Sequence, residues 1–529
     1  MRLEDTPLCH LFITNDEPTS SEVERLHRGV GRITRRMGKI GTISLENSVA
    51  LEIQEIEGKL QQIRGALSPL RRVPIEVLGD IFRISLPDNT ANKAGRQALI
   101  ALCLVCQRWR TAAWATHGLW TRLELLYRPE GFCHKKAALW LSRSGTFPRS
   151  LRLHHDGLTS ELARFLMHGP TLDELALEFS NTVCWRRLMD SIECFSLMSL
   201  SQTGGGFRAK VSFPWDSLQT LSIKFSSKGW AAYSPSFIHL PPSVRTFHLY
   251  LPEGPRFTPT INFKPGFLQR LTELVLCCHW HISALLSILK HCEDVEVATL
   301  YFNASGFHHL GLDRDLPLFR LNTLRLRNVS SLELLPFLAR AENLCHLDIS
   351  FEDKSRKGSQ LLDLDDLFAA RWHSFIQTHD SLLTLRLHDA VIYENAIEEL
   401  FDPAVPFKSL THLTMDNIVS ATEEGREFPV DSLANGAFPC LWSLELLEVS
   451  GVFPLNRLLN AVEIHQACQS RAPKRGSTSF NLKVTYYKSR YGLFSDVYPV
   501  QHSMDIMIRV RKLVESGTVV DIGPMYEHL

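Results

Sequence analysis

Apolar residues recur through the middle of the chain in one spacing, apolar-x-x-apolar-x-apolar. Ten such units begin at Leu172, Leu218, Val244, Leu271, Val297, Leu321, Leu344, Leu382, Leu410 and Leu441. A degenerate unit at Leu197 and Leu200 fills the long gap after the first unit. From the first unit to the last, the chain covers 269 residues in ten steps, or 26.9 residues per step. The pattern therefore predicts an array of internal repeats.

Each repeat predicts a short strand with one apolar side. Residues two apart in a strand face the same way, so the last two apolar positions of each unit point into a common core. One unit cannot bury its own apolar face, whereas a stack of units can. The period falls within the range of about 20 to 29 residues that is typical of leucine-rich repeats. We therefore predict an α/β fold in which residues 119–488 form a leucine-rich-repeat-like solenoid, a horseshoe of parallel strands with helical or irregular connections.

Helical patterns lie between the strands and after the last of them. Residues 283–290 read as a short connecting helix. The end of a solenoid needs an atypical unit that seals its core. We expect residues 489–529 to form this cap, with a helix over 499–513 that Gly517 ends and a closing strand over 518–522.

The residues ahead of the repeats predict two further segments. Residues 1–42 include six basic and no acidic residues between Arg25 and Lys39, which favours a flexible, solvated tail over a nuclear import signal. Residues 43–66 predict a helix whose heptad seam comprises Val49, Ile53, Ile56, Leu60, Ile63 and, just beyond it, Leu67. The seam is too short for a confident coiled coil, so packing on neighbouring elements is favoured over a dimer zipper.

Residues 67–118 predict a small all-helical module. Pro74 and Glu76 suit the start of a first helix that reaches Leu86. Its apolar residues lie on two faces, one with Ile75, Leu78 and Phe82 and the other with Val77, Ile81 and Ile84. A second helix is expected to carry the apolar run 98–106 and to continue through Trp109. This is more apolar surface than one small core covers, which favours a docking module for another protein.

The same residues resemble an F-box. The opening Val73-Pro74-Ile75-Glu76-Val77-Leu78, the Phe at position 82, the segment Val105-Cys106-Gln-Arg-Trp109 and the later Leu119-Trp120 follow that family's pattern in order. Val73 replaces the usual Leu, and the loop over 86–97 is longer than in compact members. With degenerate repeats behind the box, the layout is similar to a large group of F-box proteins from mushroom-forming fungi.

The resemblance implies a partner and a function. Such proteins are substrate-recognition subunits of SCF-type cullin–RING ubiquitin ligases, in which the F-box binds a Skp-family adaptor and the repeats hold the substrate. It also implies roles for single residues. The residues expected to bind the adaptor are Pro74, Val77, Ile81, Val105, Cys106 and Trp109, and those expected to form the F-box core are Ile75, Leu78, Phe82 and Leu102.

The open face of the predicted strands is the expected substrate surface. Side chains beside the inward positions project to this face, and neighbouring strands lie about 4.8 Å apart. One surface would then hold Tyr250, Tyr301, Arg325, Arg327, Arg386 and His388. Arginine clusters bind acidic or phosphorylated segments, so such a substrate is one hypothesis. The alternative hypothesis is an ordinary solvated surface without a binding role, on which Asp348 and Asp416 neutralise the arginines.

Composition excludes several other classes. Basic and acidic residues balance at 57 each, which argues against a chain-wide hold on nucleic acid or anionic lipid. No apolar run approaches the roughly 20 residues of a membrane span, and no secretory signal is visible, so cytoplasm or nucleus is expected. The twelve cysteines lack a spaced framework, and the Cys277–His281 segment lacks a second ligand pair, so no metal or cofactor is expected.

No catalytic motif stands out, and we expect a non-catalytic protein. Two alternatives remain open. One is a repeat scaffold that binds the adaptor or another partner without directing degradation. The other is an uncharacterised enzyme built on a repeat frame.

Overall fold

The fold divides into two compact units, one of residues 1–177 and 194–218 and the other of residues 178–193 and 219–529. The computed structural model describes residues 8–13, 17–40, 47–86, 92–125, 133–155, 159–180, 182–202, 213–226, 236–251, 261–264, 266–303, 316–329, 334–338, 340–351, 366–392, 399–420, 436–449, 455–469, 479–487 and 504–525.

A large parallel sheet of fourteen strands dominates the chain, and its strands follow one another in sequence order. Two further strands, β5 and β7, pair separately. The strands are β1 (Arg122–Leu125), β2 (Ser150–His155), β3 (Glu174–Phe179), β4 (Thr220–Phe225), β5 (Ser236–Phe237), β6 (Thr246–Tyr250), β7 (Asn262–Phe263), β8 (Glu273–His281), β9 (Val297–Asn303), β10 (Thr323–Val329), β11 (His346–Phe351), β12 (Thr384–Ile392), β13 (His412–Ser420), β14 (Ser443–Val449), β15 (Asn481–Tyr487) and β16 (Val519–Met525).

The helices precede or connect these strands. They are α1 (Cys9–Ile13), α2 (Ser20–Ile40), α3 (Asn47–Ala66), α4 (Ile75–Ser85), α5 (Lys93–Val105), α6 (Gln107–Ala115), α7 (His134–Ser142), α8 (Thr159–His168), α9 (Thr182–Gln202), α10 (Ile282–Leu289), α11 (Asp366–Thr378), α12 (Leu455–Gln469) and α13 (Met504–Glu515). None of them is long and apolar enough, over the residues described, to cross a membrane.

A strand lies at each of the ten repeat units. The units coincide with β3, β4, β6 and β8 to β14, and outside β9 their predicted inward positions are buried, as Leu324 and Leu326 are in β10. In-register parallel pairing stacks these leucines, with Leu324 opposite Leu347 and Leu326 opposite Ile349. The mixed α/β class with parallel strands is thus confirmed, and the arrangement is solenoid-like because each strand pairs only with its neighbours in the order.

Two details of the repeat prediction are wrong. Leu197 and Leu200 belong to helix α9 rather than to a strand, because leucines spaced three apart also fit a helical face. In β9 the inward residues are Ala298 and Leu300, paired with Leu274 and Leu276 of β8. The prediction had chosen Leu300 and Phe302, two residues late, because the small Ala298 escapes an apolar pattern built on large side chains.

The prediction of a flexible tail over residues 1–42 is wrong for the residues described there. Helix α2 spans 21 residues and packs against α3. Leu11, Leu26, Ile63 and Ala66 form the buried cluster that joins them. The basic residues of α2 lie on its solvent-facing side, so the apolar residues on its other side can pack against α3.

The heptad seam of α3 packs within the chain, as favoured over a dimer zipper. Ile56, Leu60 and Ile63 are buried, and Ile63 contacts the cluster shared with α2. Across the two helices, Arg36 and Glu52 form an ion pair at 2.5 Å. The side chain of Val49 lies outside the described residues.

The predicted connecting and closing elements are present. Helix α10 coincides with the connecting helix predicted over residues 283–290, and its large apolar residues are buried. At the end of the chain, α13 is followed by Gly517, whose φ of +94° is a left-handed conformation that glycine adopts without strain, and then by β16. Strand β16 pairs with β15 at the edge of the sheet.

Candidate functional site

Helix α4 buries one of its two apolar faces. Pro74 is the extended residue that precedes the helix, and Glu76 places a carboxylate in the first turn, where it complements the helix dipole. Leu78 and Phe82 are fully buried, and Ile75 is half-buried. These three are the residues expected to form the core, and α4 packs through them against α6.

The other face of α4 is open to solvent. Val77, Ile81 and Ile84 follow one another at intervals of four and three residues, which places them in one stripe along the helix. Their exposed fractions are 48%, 39% and 80%. Three consecutive aliphatic positions therefore stay in contact with water.

Helix α5 has the same division. The side chain of Asn92 caps its N-terminus by accepting a hydrogen bond from the backbone N–H of Gly95 at 2.9 Å. Leu99 and Cys103 are buried, and Leu102, expected in the core, is half-buried. The exposed apolar side chains of this helix are Ile100, Leu104 and Val105.

The second helix does not continue through Trp109, which corrects the sequence prediction. Cys106 adopts an extended conformation between α5 and α6, and its Sγ accepts a hydrogen bond from the backbone N–H of Trp109 at 3.4 Å. The Trp109 ring then packs against Phe82, with centroids 5.1 Å apart. Cys106 and Trp109 are both half-buried, and both contact other residues of the helical module.

Close contacts hold α4 and α6 together. The Arg108 guanidinium donates to the backbone carbonyls of Arg71 and Val73 at 2.6 and 2.7 Å, which fixes the segment that leads into α4. Gly79 is buried, and a Cβ there would overlap Oγ1 of Thr116 at the end of α6. The exposed face of α4 is therefore presented by a tightly anchored helix.

The predicted substrate residues lie on the side of the parallel strands that faces away from the buried leucines. We call this solvent-facing side the open face. On it, Arg327 donates to both carboxylate oxygens of Asp348 at 2.7 and 2.5 Å. His388 Nε2 lies 3.0 Å from Asp348 Oδ1, and Nδ1 lies 2.7 Å from Asp389 Oδ2. The structure thus joins Arg327 and His388, two of the predicted residues, through one carboxylate.

The charges of this cluster stabilise one another. Burial favours the neutral form of Asp348, but the hydrogen bonds from Arg327 and His388 outweigh it and hold the pKa of Asp348 well below its usual range. The hydrogen bond to Asp348 likewise raises the pKa of Arg327, against the opposing effect of burial. The Arg327 side chain is only 20% exposed, so its charged group, which is paired with Asp348, has little contact with solvent.

The other two predicted arginines differ in their pairing. Arg386 donates to Asp416 at 2.6 Å. Arg325 is exposed, and no described carboxylate lies within ion-pair distance of it. Two of the three arginines are therefore neutralised by Asp348 and Asp416, the two aspartates that the alternative hypothesis named.

A backbone feature that sequence reasoning missed supports this cluster. Asn328, Asp389, Asn417 and Glu448 have φ between +51° and +60°, and each stands two residues after the last apolar position of its repeat unit. Asp389 accepts hydrogen bonds from Ser350 at 3.1 Å and Asn417 at 2.9 Å, which ties β11, β12 and β13 together. Asn and Asp tolerate this conformation better than other residues, and their recurrence at one repeat position was the available signal.

Tyr250 and Tyr301 are half-buried on the same face. Because β9 is shifted from its predicted register, Tyr301 lines up with Arg327 rather than with Arg325. Burial raises the pKa of Tyr301. The predicted residues therefore lie on neighbouring strands, and Tyr301 stands opposite Arg327, the arginine that binds Asp348.

The described residues hold no group of three or more His, Cys, Asp or Glu side chains that could bind a metal ion. In the Cys277–His281 segment, Cys278 is buried at 2% exposure, and burial raises its pKa well above the usual thiol range. The side chains of His279, Trp280 and His281 lie outside the described residues.

No protein-family model matches this chain, and no curated protein matches it either.

Proposed function

We propose that the chain is a non-catalytic substrate-recognition subunit of an SCF-type cullin–RING ubiquitin ligase, acting in the cytoplasm or nucleus. In this proposal residues 67–118 are an F-box that binds a Skp-family adaptor, and the strands of residues 119–488 hold a protein substrate. Ubiquitin transfer then depends on holding the substrate close to the rest of the ligase, which requires no active site in this chain.

The observation that carries the proposal is the exposed apolar face of α4. Val77, Ile81 and Ile84 form a solvent-exposed stripe on α4, although the other face of this helix is buried through Leu78 and Phe82. Fully burying such a side chain is worth about 1.5 to 3 kcal/mol, so covering these partly exposed residues releases roughly 1 kcal/mol or more for each. Exposed apolar stripes of this kind mark protein-interaction sites.

The residues expected to bind the adaptor take two different roles in this proposal. Pro74, Val77, Ile81 and Val105 are exposed and make direct contact with the adaptor. The half-buried Cys106 and Trp109 position the helices, because one caps α6 and the other packs on Phe82. Substitution of Trp109 would therefore disturb folding as well as binding.

The proposal is tested by co-purification of the Skp-family adaptor and cullin with the tagged full-length chain. The test variant carries Val77→Lys and Ile81→Lys, which change exposed side chains only. The control is Leu139→Lys on α7, where the side chain is 60% exposed on a different helix. We expect the wild type and the control to retain the adaptor and the double variant to lose most of it.

Two results would contradict the proposal. Absence of adaptor from the wild-type complex would remove the F-box assignment, and equal recovery with the double variant would show that α4 is not the docking surface. Adaptor without cullin, together with an unchanged half-life of the bound partner, would favour the alternative of a scaffold that does not direct degradation.

A further inference from the structure

The open face of β6, β8, β9 and β10 carries two parallel rows of side chains. Strand pairing in register defines both rows. The first row consists of His248, Val275, Thr299 and Arg325, and the second of Tyr250, Cys277, Tyr301 and Arg327. Each row has a short side chain between longer ones.

Short side chains occupy the middle of these rows. Val275 and Thr299 are only 8% and 9% exposed, although they lie in register with the exposed Arg325. In the second row, Cys277 lies between Tyr250 and Tyr301, two strand spacings or about 9.6 Å apart. This strand spacing is wide enough for one apolar side chain to lie between the two tyrosines.

Arg325 ends the first row as an exposed positive charge with no carboxylate partner among the described residues. The other cations at the ends of the rows are paired, Arg327 with both oxygens of Asp348 and Lys224 with Glu178. The guanidinium of Arg325 matches one carboxylate in a two-point hydrogen bond. A phosphate group carries up to two negative charges at neutral pH and is better matched by several arginines.

We propose that these two rows bind an extended segment of the substrate with the pattern apolar-x-acidic. The apolar side chain lies over Cys277 between the tyrosines, and the Asp or Glu carboxylate pairs with Arg325. The inference rests on the proposed function, since it names the substrate class that the strands of the ligase subunit would hold.

The spacing follows from the sheet. Cys277 and Arg325 are separated by two strands and two residues along the strand, or about 12 Å between backbone positions. Alternate residues of an extended peptide lie about 6.8 Å apart on one side. The long arginine side chain bridges the remaining distance, so the acidic residue belongs two positions from the apolar one.

The test is selection of a phage-displayed library of random short peptides on the purified full-length chain. The wild type is expected to enrich large apolar residues two positions from Asp or Glu. Arg325→Glu should reverse the charge preference to Lys or Arg, and it should weaken the peptide enriched on the wild type about tenfold or more. The control Arg320→Glu, at an exposed arginine outside both rows, should change neither.

A selection that yields no motif would overturn the inference, as would an acidic motif that survives Arg325→Glu. A phosphorylated version of the enriched peptide serves as a second arm, and binding that requires the phosphate would refute the carboxylate assignment. Adaptor recovery is measured on the same samples. Peptide binding without the adaptor would refute the proposed function alone, whereas adaptor binding without an enriched motif would refute this inference alone.

Discussion

The ion pair between Arg327 and Asp348 is expected to stabilise the middle of the sheet far more than the pair between Arg386 and Asp416. Both pairs are Arg–Asp, and both lie on the open face. They differ in geometry and exposure, since Arg327 grips both oxygens of Asp348 and is 20% exposed, whereas Arg386 uses one bond and is 47% exposed. A double-mutant cycle on each pair isolates this difference.

The expected magnitudes follow from those contacts. Removing one partner of a fully buried pair costs about 3 to 5 kcal/mol, because the other charge stays buried alone. With one-fifth of each side chain exposed, we expect about 2 to 3 kcal/mol for Asp348→Leu and a similar cost for Arg327→Met. The double variant leaves no unpaired charge, so the coupling should reach about 1 to 2 kcal/mol. For Arg386→Met and Asp416→Leu we expect a coupling below about 1 kcal/mol.

Acid should remove the advantage of the Arg327–Asp348 pair. The pKa of Asp348 is depressed in the folded protein, so its contribution is fully present above the ordinary aspartate pKa of about 3.9. It is lost as the pH falls through the lower folded-state value. The stability difference between the wild type and Asp348→Leu should therefore shrink as the pH falls below about 4.

The measurement is urea unfolding followed by hydrogen–deuterium exchange in peptides from β10 to β12, with β1 and β2 as the internal reference. A local readout is needed because a repeat array does not unfold as one two-state unit. Additive costs for Arg327 and Asp348 within about 0.5 kcal/mol would refute the reasoning. Equal coupling energies in the two pairs would show that the lower solvent exposure of Arg327 and Asp348 does not strengthen their interaction.

Three further changes test the packing of the N-terminal helices. Phe82→Ala removes a fully buried ring that contacts Trp109 and should cost about 3 to 5 kcal/mol, whereas Ile84→Ala on the exposed face should change thermal stability little. Gly79→Ala forces a Cβ against Thr116 and should lower the melting temperature, whereas Gly118→Ala meets no atom within 4 Å and should not. Gly58→Ala in α3 also meets nothing and should raise stability by about 0.5 to 1 kcal/mol, and an unchanged or lower melting temperature would contradict this.

The sequence predicted the sheet well because the signal was redundant. Leu324 and Leu326 repeat a spacing that also appears in most strands of the sheet, so single exceptions did not disturb the order. Strand β9 is the instructive exception, since Ala298 fills an inward position with a side chain too small for the pattern to detect. Neighbouring strands would have corrected that register, because parallel pairing aligns Leu274, Ala298 and Leu324.

The N-terminal helices were harder to predict because charge masked their apolar stripe. Leu26 is one apolar residue among many exposed basic ones, yet its burial against Ile63 folds α2 onto α3. The break at Cys106 also lacked a signal, since neither proline nor glycine stands at that position. The break depends instead on the Cys106 side chain acting as a helix cap, which residue type alone does not indicate.

On the open face, the sequence predicted which charged residues are present but not which of them form ion pairs. Register placed Arg325, Asp348 and Arg386 in one row, yet the ion pairs run diagonally, with Arg327 bound to Asp348 and Arg386 bound to Asp416. Arginine side chains are long enough to reach the diagonal neighbour on the next strand. The predicted basic patch is therefore a largely neutral network in which Arg325 has no carboxylate partner among the described residues.

Whether a Skp-family adaptor covers the exposed face of α4 can be measured by hydrogen–deuterium exchange of the full-length chain with and without that adaptor. We expect slower exchange in Ile75–Ser85 and Lys93–Val105 when the adaptor is present, with α7 unchanged. Formation of a complex without protection of α4, or no complex at all, would contradict it.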